Sequence, residues 1–117
     1  MSDIKKLTEK IEQFREERSW KKFHNPKDEA LSLVLEAAEV LEHFQWKNEH
    51  EVTEYVKSHK EDIGEELADV LYWVLLMSHD LDIDIIEASE KKLEKNATKY
   101  PVDKFKGKSN KYNKLES

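Results

Sequence analysis

Two acidic couplets stand thirty residues apart in this chain. Glu36-Ala-Ala-Glu39 lies inside the run LSLVLEAAEVLEHF, and Glu66-Leu-Ala-Asp69 inside GEELADVLYWVLLM. Residues three apart on a helix share a face, with Cβ atoms about 5–6 Å apart. Both couplets sit among leucines, valines and alanines, where an ionised side chain is costly unless something compensates it. Four carboxylates converging in that setting repel one another. At roughly 5 Å and an effective dielectric near 20, each pair costs about 3 kcal/mol. A divalent cation is the simplest relief. The four donors, Glu36, Glu39, Glu66 and Asp69, are all hard oxygens, which suits Mg²⁺ or Mn²⁺ and not zinc. Among 26 acidic residues a single E-x-x-E is expected by chance, and Glu42, Glu61 and Glu65 read as solvated charge. Two couplets, each in the most apolar part of its helix, favour the metal.

A second use of carboxylates inside helices is the di-iron or di-manganese oxidase site, which needs Glu-x-x-His on two of its helices. None of His24, His43, His50, His59 and His79 has a glutamate three residues before it. The oxidase reading falls behind for that reason.

The three tryptophans add a second clue. Trp46 lies seven residues after Glu39 and Trp73 seven after Glu66, each about two turns along the same face. Trp20 stands in the connection leading to the first couplet. Core packing accounts for most tryptophans in small helical proteins. An aromatic face beside a metal, however, is what a nucleobase with a polyphosphate tail requires. In antiparallel helices Trp46 and Trp73 fall at opposite ends of the acids, so a pocket using both needs a second copy of the chain.

The elements that position these residues are helical. With 117 residues the chain makes one domain, and with only two glycines and two prolines it has little turn chemistry for an all-β fold. Ile4, Leu7, Ile11 and Phe14 recur at helical spacing, predicting a helix from Asp3 to Arg18. The segment from Trp20 to Pro26 reads as a connection, with Asn25 as cap, Pro26 in the first turn, and Asp28 and Glu29 favouring the next N-terminus. That second helix is expected to reach Trp46 and, being apolar over most of its circumference, to occupy the centre of a bundle. Ser32, Glu36, Glu39 and His43 project onto one polar stripe of it. A break at Lys47-Asn48, a short helical piece over Val52–His59 and a third helix from Lys60 to His79 follow. Asp82 or Asp84 caps a fourth helix that ends near Tyr100-Pro101. The fold expected is an all-α, four-helix up-and-down bundle over residues 1–101, with a basic, flexible tail over 102–117.

Charge and composition bound the partners. A net charge of −6 argues against a general nucleic-acid binder. No apolar run approaches the length of a membrane span, MSDIKKLTEK lacks the apolar stretch of a signal peptide, and there is no cysteine for a disulfide or thiolate site. A cytoplasmic location, with no membrane partner, is the expectation.

Four ordered blocks, FREERSWKKFHNPKD, LVLEAAEVLEHFQWK, EELADVLYWVLLM and KLEKNATKYPV, carry a family likeness. With the couplets they make the chain resemble the MazG-like nucleotide pyrophosphohydrolases over about residues 7–102, and the dCTP pyrophosphatase branch in particular. The resemblance implies Mg²⁺-dependent hydrolysis of a (deoxy)nucleoside triphosphate to monophosphate and pyrophosphate, with Glu36, Glu39, Glu66 and Asp69 as metal ligands. It assigns a base pocket to Trp20, Lys21, Lys22, Phe23 and His24 together with Trp46 and Trp73. Asn96 and Tyr100 match the block that closes the site, and the family's assembly implies a homodimer or homotetramer. The branch's first-helix histidine is replaced by Ile11, and the tyrosine after its second motif by Trp73, so preference for cytosine is not implied. Within that frame Glu36 or Glu39 would orient or deprotonate the attacking water, and Lys92 and Lys99 would neutralise the outer phosphates; an exposed face suits Lys95 better. A helical interaction module whose acidic face binds a basic partner is the non-enzymatic alternative.

Overall fold

The computed structural model describes residues 2–107, and these are all-α, with no strand among them. Each of the four long helices begins where the sequence supplies a cap. Helix α1, Asp3–Glu17, starts under Ser2, whose Oγ accepts from the Lys5 amide at 3.2 Å. The chain turns through Ser19, at φ 52°, and a single 3-10 turn, Lys21–Phe23, leads to α2, Pro26–Glu42. There the Asn25 side chain accepts from the Asp28 amide at 2.9 Å and Pro26 holds the first turn. Helix α3, Glu49–Asp80, opens on a reciprocal capping box between Asn48 and Glu51. Asp84 caps α4, Ile85–Lys99, and a short α5, Val102–Phe105, follows Pro101. Four of these helices are long, as an all-α chain of this pattern requires.

Three boundaries differ from the sequence reading. Helix α2 stops at Glu42, not Trp46, because the His43 and Phe44 amides tighten onto the carbonyls of Val40 and Leu41, three residues back. Lys47 Nζ then donates to the His43 carbonyl at 2.7 Å and seals the turn. The short piece before Lys60 and the third helix are one helix with a kink at His59, where φ is −126° and ψ 22°. The His59 ring stacks on Tyr55 at 3.8 Å, and at the kink the Tyr55 carbonyl accepts from Ser58 Oγ at 3.3 Å, with His59 Nδ1 3.0 Å away. Within the stretch expected to be a flexible tail, Val102–Phe105 is helical, and the expectation for residues from Lys108 onward lies outside the described residues.

The chain forms two compact units, one running through Asp82 and the other starting at Ile83. In the first, α2 and α3 are antiparallel: Glu29 meets Asp80 at one end, and His43 and Phe44 meet Tyr55 at the other. Helix α1 packs on α3 through Phe14 with Tyr72 and Arg15 with Asp80. Its apolar core is small, built on Ile11, Leu75 and Leu76. The expectation that α2 lies at the centre of a bundle is corrected here. Only Glu29 of α2 is buried, while Leu31, Val34, Leu35 and Leu41 are each more than half exposed. The second unit consists of α4 and α5, with the Tyr100 ring edge-on to Phe105 at 4.9 Å. Among the described residues no helix is long and apolar enough to cross a membrane.

Candidate functional site

Antiparallel packing of α2 on α3 does for the couplets what their spacing alone could not. Glu36 and Glu39 face Glu66 and Asp69, and one carboxylate oxygen from each lies within 4.8 Å of all the others. Glu36 and Glu66 are half-buried, Glu39 and Asp69 exposed. Each of the half-buried pair has an Oε2 sealed from solvent and without a hydrogen-bond partner among the described residues. Such an orphaned acceptor is costly unless a proton or a cation reaches it. The donor set fits a hard divalent ion: four carboxylates, no sulfur, no imidazole.

Without an ion, protons answer the repulsion. Glu66 is pushed up to about 7, chiefly by its hydrogen bond with Glu39, then by burial and by the charges of Glu39, Asp69 and Glu36. Glu36 is raised mainly by burial, and further by Glu39 and Asp69. The folded protein therefore keeps protons on these groups above their ordinary 4.5, where an unfolded chain has released them. Stability from this source is complete below about 4.5 and is lost as pH rises toward about 7 and beyond. In chelator, the melting temperature is expected to fall across that window, and saturating Mg²⁺ to remove much of the fall at its upper end. A thermal shift series with and without EDTA checks this; identical curves would count against a cation on these four residues.

Beyond the acids, one turn past Asp69, Trp73 meets His24 edge-on with ring centroids 5.1 Å apart. The structure thus brings two residues of the expected base pocket together one helical turn from the acidic cluster. Trp20 sits further out, edge-on to Phe14 at 5.7 Å, with the Arg18 guanidinium 5.9 Å from its ring. Lys21, Lys22 and Phe23 form the exposed 3-10 turn, Lys22 Nζ lying 5.3 Å from the Phe23 ring. Trp46 is 88% exposed in the turn after α2, and the antiparallel pairing puts it beyond the opposite end of the acids from Trp73. Lys92, Asn96 and Lys99 share one face of α4 in the second unit, and Tyr100 caps that helix with its amide on the Asn96 carbonyl at 2.8 Å. His43, the last member of the polar stripe, is taken up by Tyr55 through a short Nδ1–hydroxyl hydrogen bond at 2.5 Å.

Sequence reading missed a buried charge cluster. Glu29, assigned there to the helix N-terminus, is 1% exposed, and Arg15 and Asp80 were given no role. Arg15 lies four residues after Ile11 on the apolar face of α1, and a charge on such a face was the available signal.

The MazG-like family model matches residues 31–115 of the chain. The dCTP pyrophosphatase 1 of Mus musculus is 34% identical over 117 residues, spanning 98% of this chain and 67% of the mouse protein. Its Homo sapiens counterpart is 33% identical, again over 98% of this chain and 67% of its own. Among solved structures, a pyrophosphatase from Archaeoglobus fulgidus is similar with a TM-score of 0.82 and 39% identity, covering 86% of this chain and 94% of the archaeal one.

Proposed function

Because the chain belongs to the MazG-like family, we propose that it hydrolyses a deoxynucleoside triphosphate, dCTP or a base-modified relative, to the monophosphate and pyrophosphate using Mg²⁺. Its class, nucleotide pyrophosphohydrolase, follows from its relatives; substrate, ion and assembly are what we infer. The observation that carries the reading is the four-carboxylate cluster, with all four side chains within reach of one ion and two buried oxygens unpartnered.

Glu36, Glu39, Glu66 and Asp69 would hold the cation. When bound, Mg²⁺ neutralises phosphate charge and makes water a better nucleophile at neutral pH. Glu39, which reaches solvent, is the better placed of the Glu36–Glu39 pair to take a proton from water. The water oxygen bonds to the α-phosphorus, the bridging bond to the β-phosphate breaks, and pyrophosphate leaves with the electron pair. Trp73 and His24, one turn from Asp69, offer the base its stacking and edge contacts, and Trp20, further out against Phe14, belongs to the same proposed pocket. Lys21, Lys22 and Phe23 border the base.

A homodimer or homotetramer completes this reading. Leu31, Val34 and Leu41 lie on the side of α2 turned away from the acids, with Leu35 at the edge between them and Glu39, and each is more than half exposed. A contiguous apolar face of this kind is expected to be covered by another chain. A second copy would also bring a Trp46 toward a cleft whose own Trp46 lies at the wrong end. Light scattering after gel filtration is expected to give a dimer or tetramer, and Val34→Glu a monomer with little turnover. A wild-type monomer at full activity would remove the assembly.

The deciding assay is a panel of deoxy- and ribonucleoside triphosphates with Mg²⁺, followed for monophosphate and pyrophosphate. Turnover that stops with EDTA and favours cytosine nucleotides supports the proposal. Release of orthophosphate in place of pyrophosphate, or no turnover with any nucleotide, would overturn it.

A further inference from the structure

Away from the acidic cleft, charge is buried where α1, α2 and α3 meet at the C-terminal end of α3. Arg15 is 3% exposed and Glu29 1%. Arg15 grips Asp80 with two hydrogen bonds, Nη1 to Oδ2 at 2.6 Å and Nη2 to Oδ1 at 2.8 Å. The same Nη1 lies 3.4 Å from Nδ1 of His24. A guanidinium can only donate, so His24 Nδ1 accepts and the ring proton sits on Nε2. His24 in turn stands against Trp73. A line of contacts therefore runs from Glu29 through Asp80, Arg15 and His24 to Trp73, one turn from the metal acid Asp69.

Glu29 is the unusual member. Its carboxyl meets that of Asp80, and its Oε2 has no partner among the described residues. It shares the wall of a cavity of about 330 Å³ with Lys21 and His24 from the connection and His79 and Asp80 from α3, while Arg15 acts on it from α1. His79 is itself engaged, its Nε2 2.7 Å from Glu12, and Tyr72 is felt by Arg15. Two carboxyls against one guanidinium leave room for a proton. Burial, with the hydrogen bond to Asp80, pushes Glu29 up to about 7, while Arg15 holds Asp80 below the usual carboxylate range. His24 stays neutral because burial, then Arg15, lower it.

We propose that Glu29 is a positioning residue for the base end of the cleft: hydrogen-bonded to Asp80, it leaves Arg15 free to hold His24, and so fixes the His24–Trp73 pair for a bound nucleotide. This rests on the nucleotide reading above. When Glu29 loses its proton, two carboxylates compete for Arg15, the guanidinium is drawn toward Glu29, and His24 loses its donor. Base binding weakens while the metal acids are untouched, so KM rises and kcat does not move.

At saturating Mg²⁺, KM for dCTP is expected to rise several-fold over about a unit either side of pH 7, with kcat level. Glu29→Gln, whose amide donates to Asp80 at every pH, holds the low KM throughout. A Glu29→Gln enzyme with the wild-type pH dependence overturns the proposal. If no nucleotide is turned over, the functional reading fails, yet this one is still decided by NMR of the full chain without substrate. There the His24 ring nitrogens show a step near pH 7 in the wild type that Glu29→Gln lacks. The same titration curve in both proteins overturns it.

Discussion

Asp69→Asn or Glu39→Gln is expected to lower pyrophosphate release by at least about a hundredfold while the helices stay intact. Groups that merely support a metal's ligands typically cost about 10–100-fold when removed. A direct ligand sits above that range. Each substitution is nearly isosteric and strikes an exposed side chain, so little packing is lost. It also takes away one of the charges that hold Glu66 and Glu36 protonated. The metal-free variants are therefore expected to be as stable as the wild type near neutral pH, or more so. Loss of turnover, loss of stabilisation by Mg²⁺ and an unchanged helical circular dichroism spectrum belong together. Wild-type turnover in both variants would sink the metal assignment; lost turnover with undiminished Mg²⁺ stabilisation would move the ion elsewhere.

The largest effect on stability is expected from Arg15→Ala. The guanidinium is buried, bidentate to Asp80, and within reach of His24. Asp80 is held low chiefly by that pair, so its contribution is present above its ordinary 3.8 and is lost as pH falls through the depressed folded value. Deleting one partner of a buried pair costs about 3–5 kcal/mol, because the other charge stays behind without compensation. Here two carboxyls stay behind, Asp80 and Glu29. At about 4–8 °C per kcal/mol for a domain of this size, the melting temperature should drop by more than about 10 °C. Arg15→Met combined with Asp80→Leu should recover part of the loss, since the paired charges go together and the carboxyl left behind, Glu29, can take up a proton. Chemical denaturation of the wild type, Arg15→Met, Asp80→Leu and the double variant gives the coupling directly. A coupling near zero would mean that the pair contributes only packing.

How legible the protein is in its sequence differs from element to element. Asn25-Pro26, Asn48 and Asp84 announce their helices because capping is local: the donor and acceptor lie within one turn. The kink at His59 falls at the expected end of the short helical piece, Val52–His59, but the continuity of α3 across it was not legible. The His59–Tyr55 stack and the Tyr55–His43 hydrogen bond that support that continuity include a partner on another element. The end of α2 was misjudged for the related reason that Lys47 reaches back to seal the turn.

Sequence by itself determined the helical class, the caps and the two couplets, since helical periodicity puts residues three apart on one face whatever else the chain does. It could not say that the faces meet. Tertiary structure decided that, by running α2 against α3 in opposite directions until four carboxylate oxygens lay within 4.8 Å of one another. It alone also decided that Glu29, Arg15 and Asp80 are one buried cluster, because they come from three helices and are up to 65 residues apart in the chain. Burial and charge pairing depend on what arrives from a distance, and no local pattern records it.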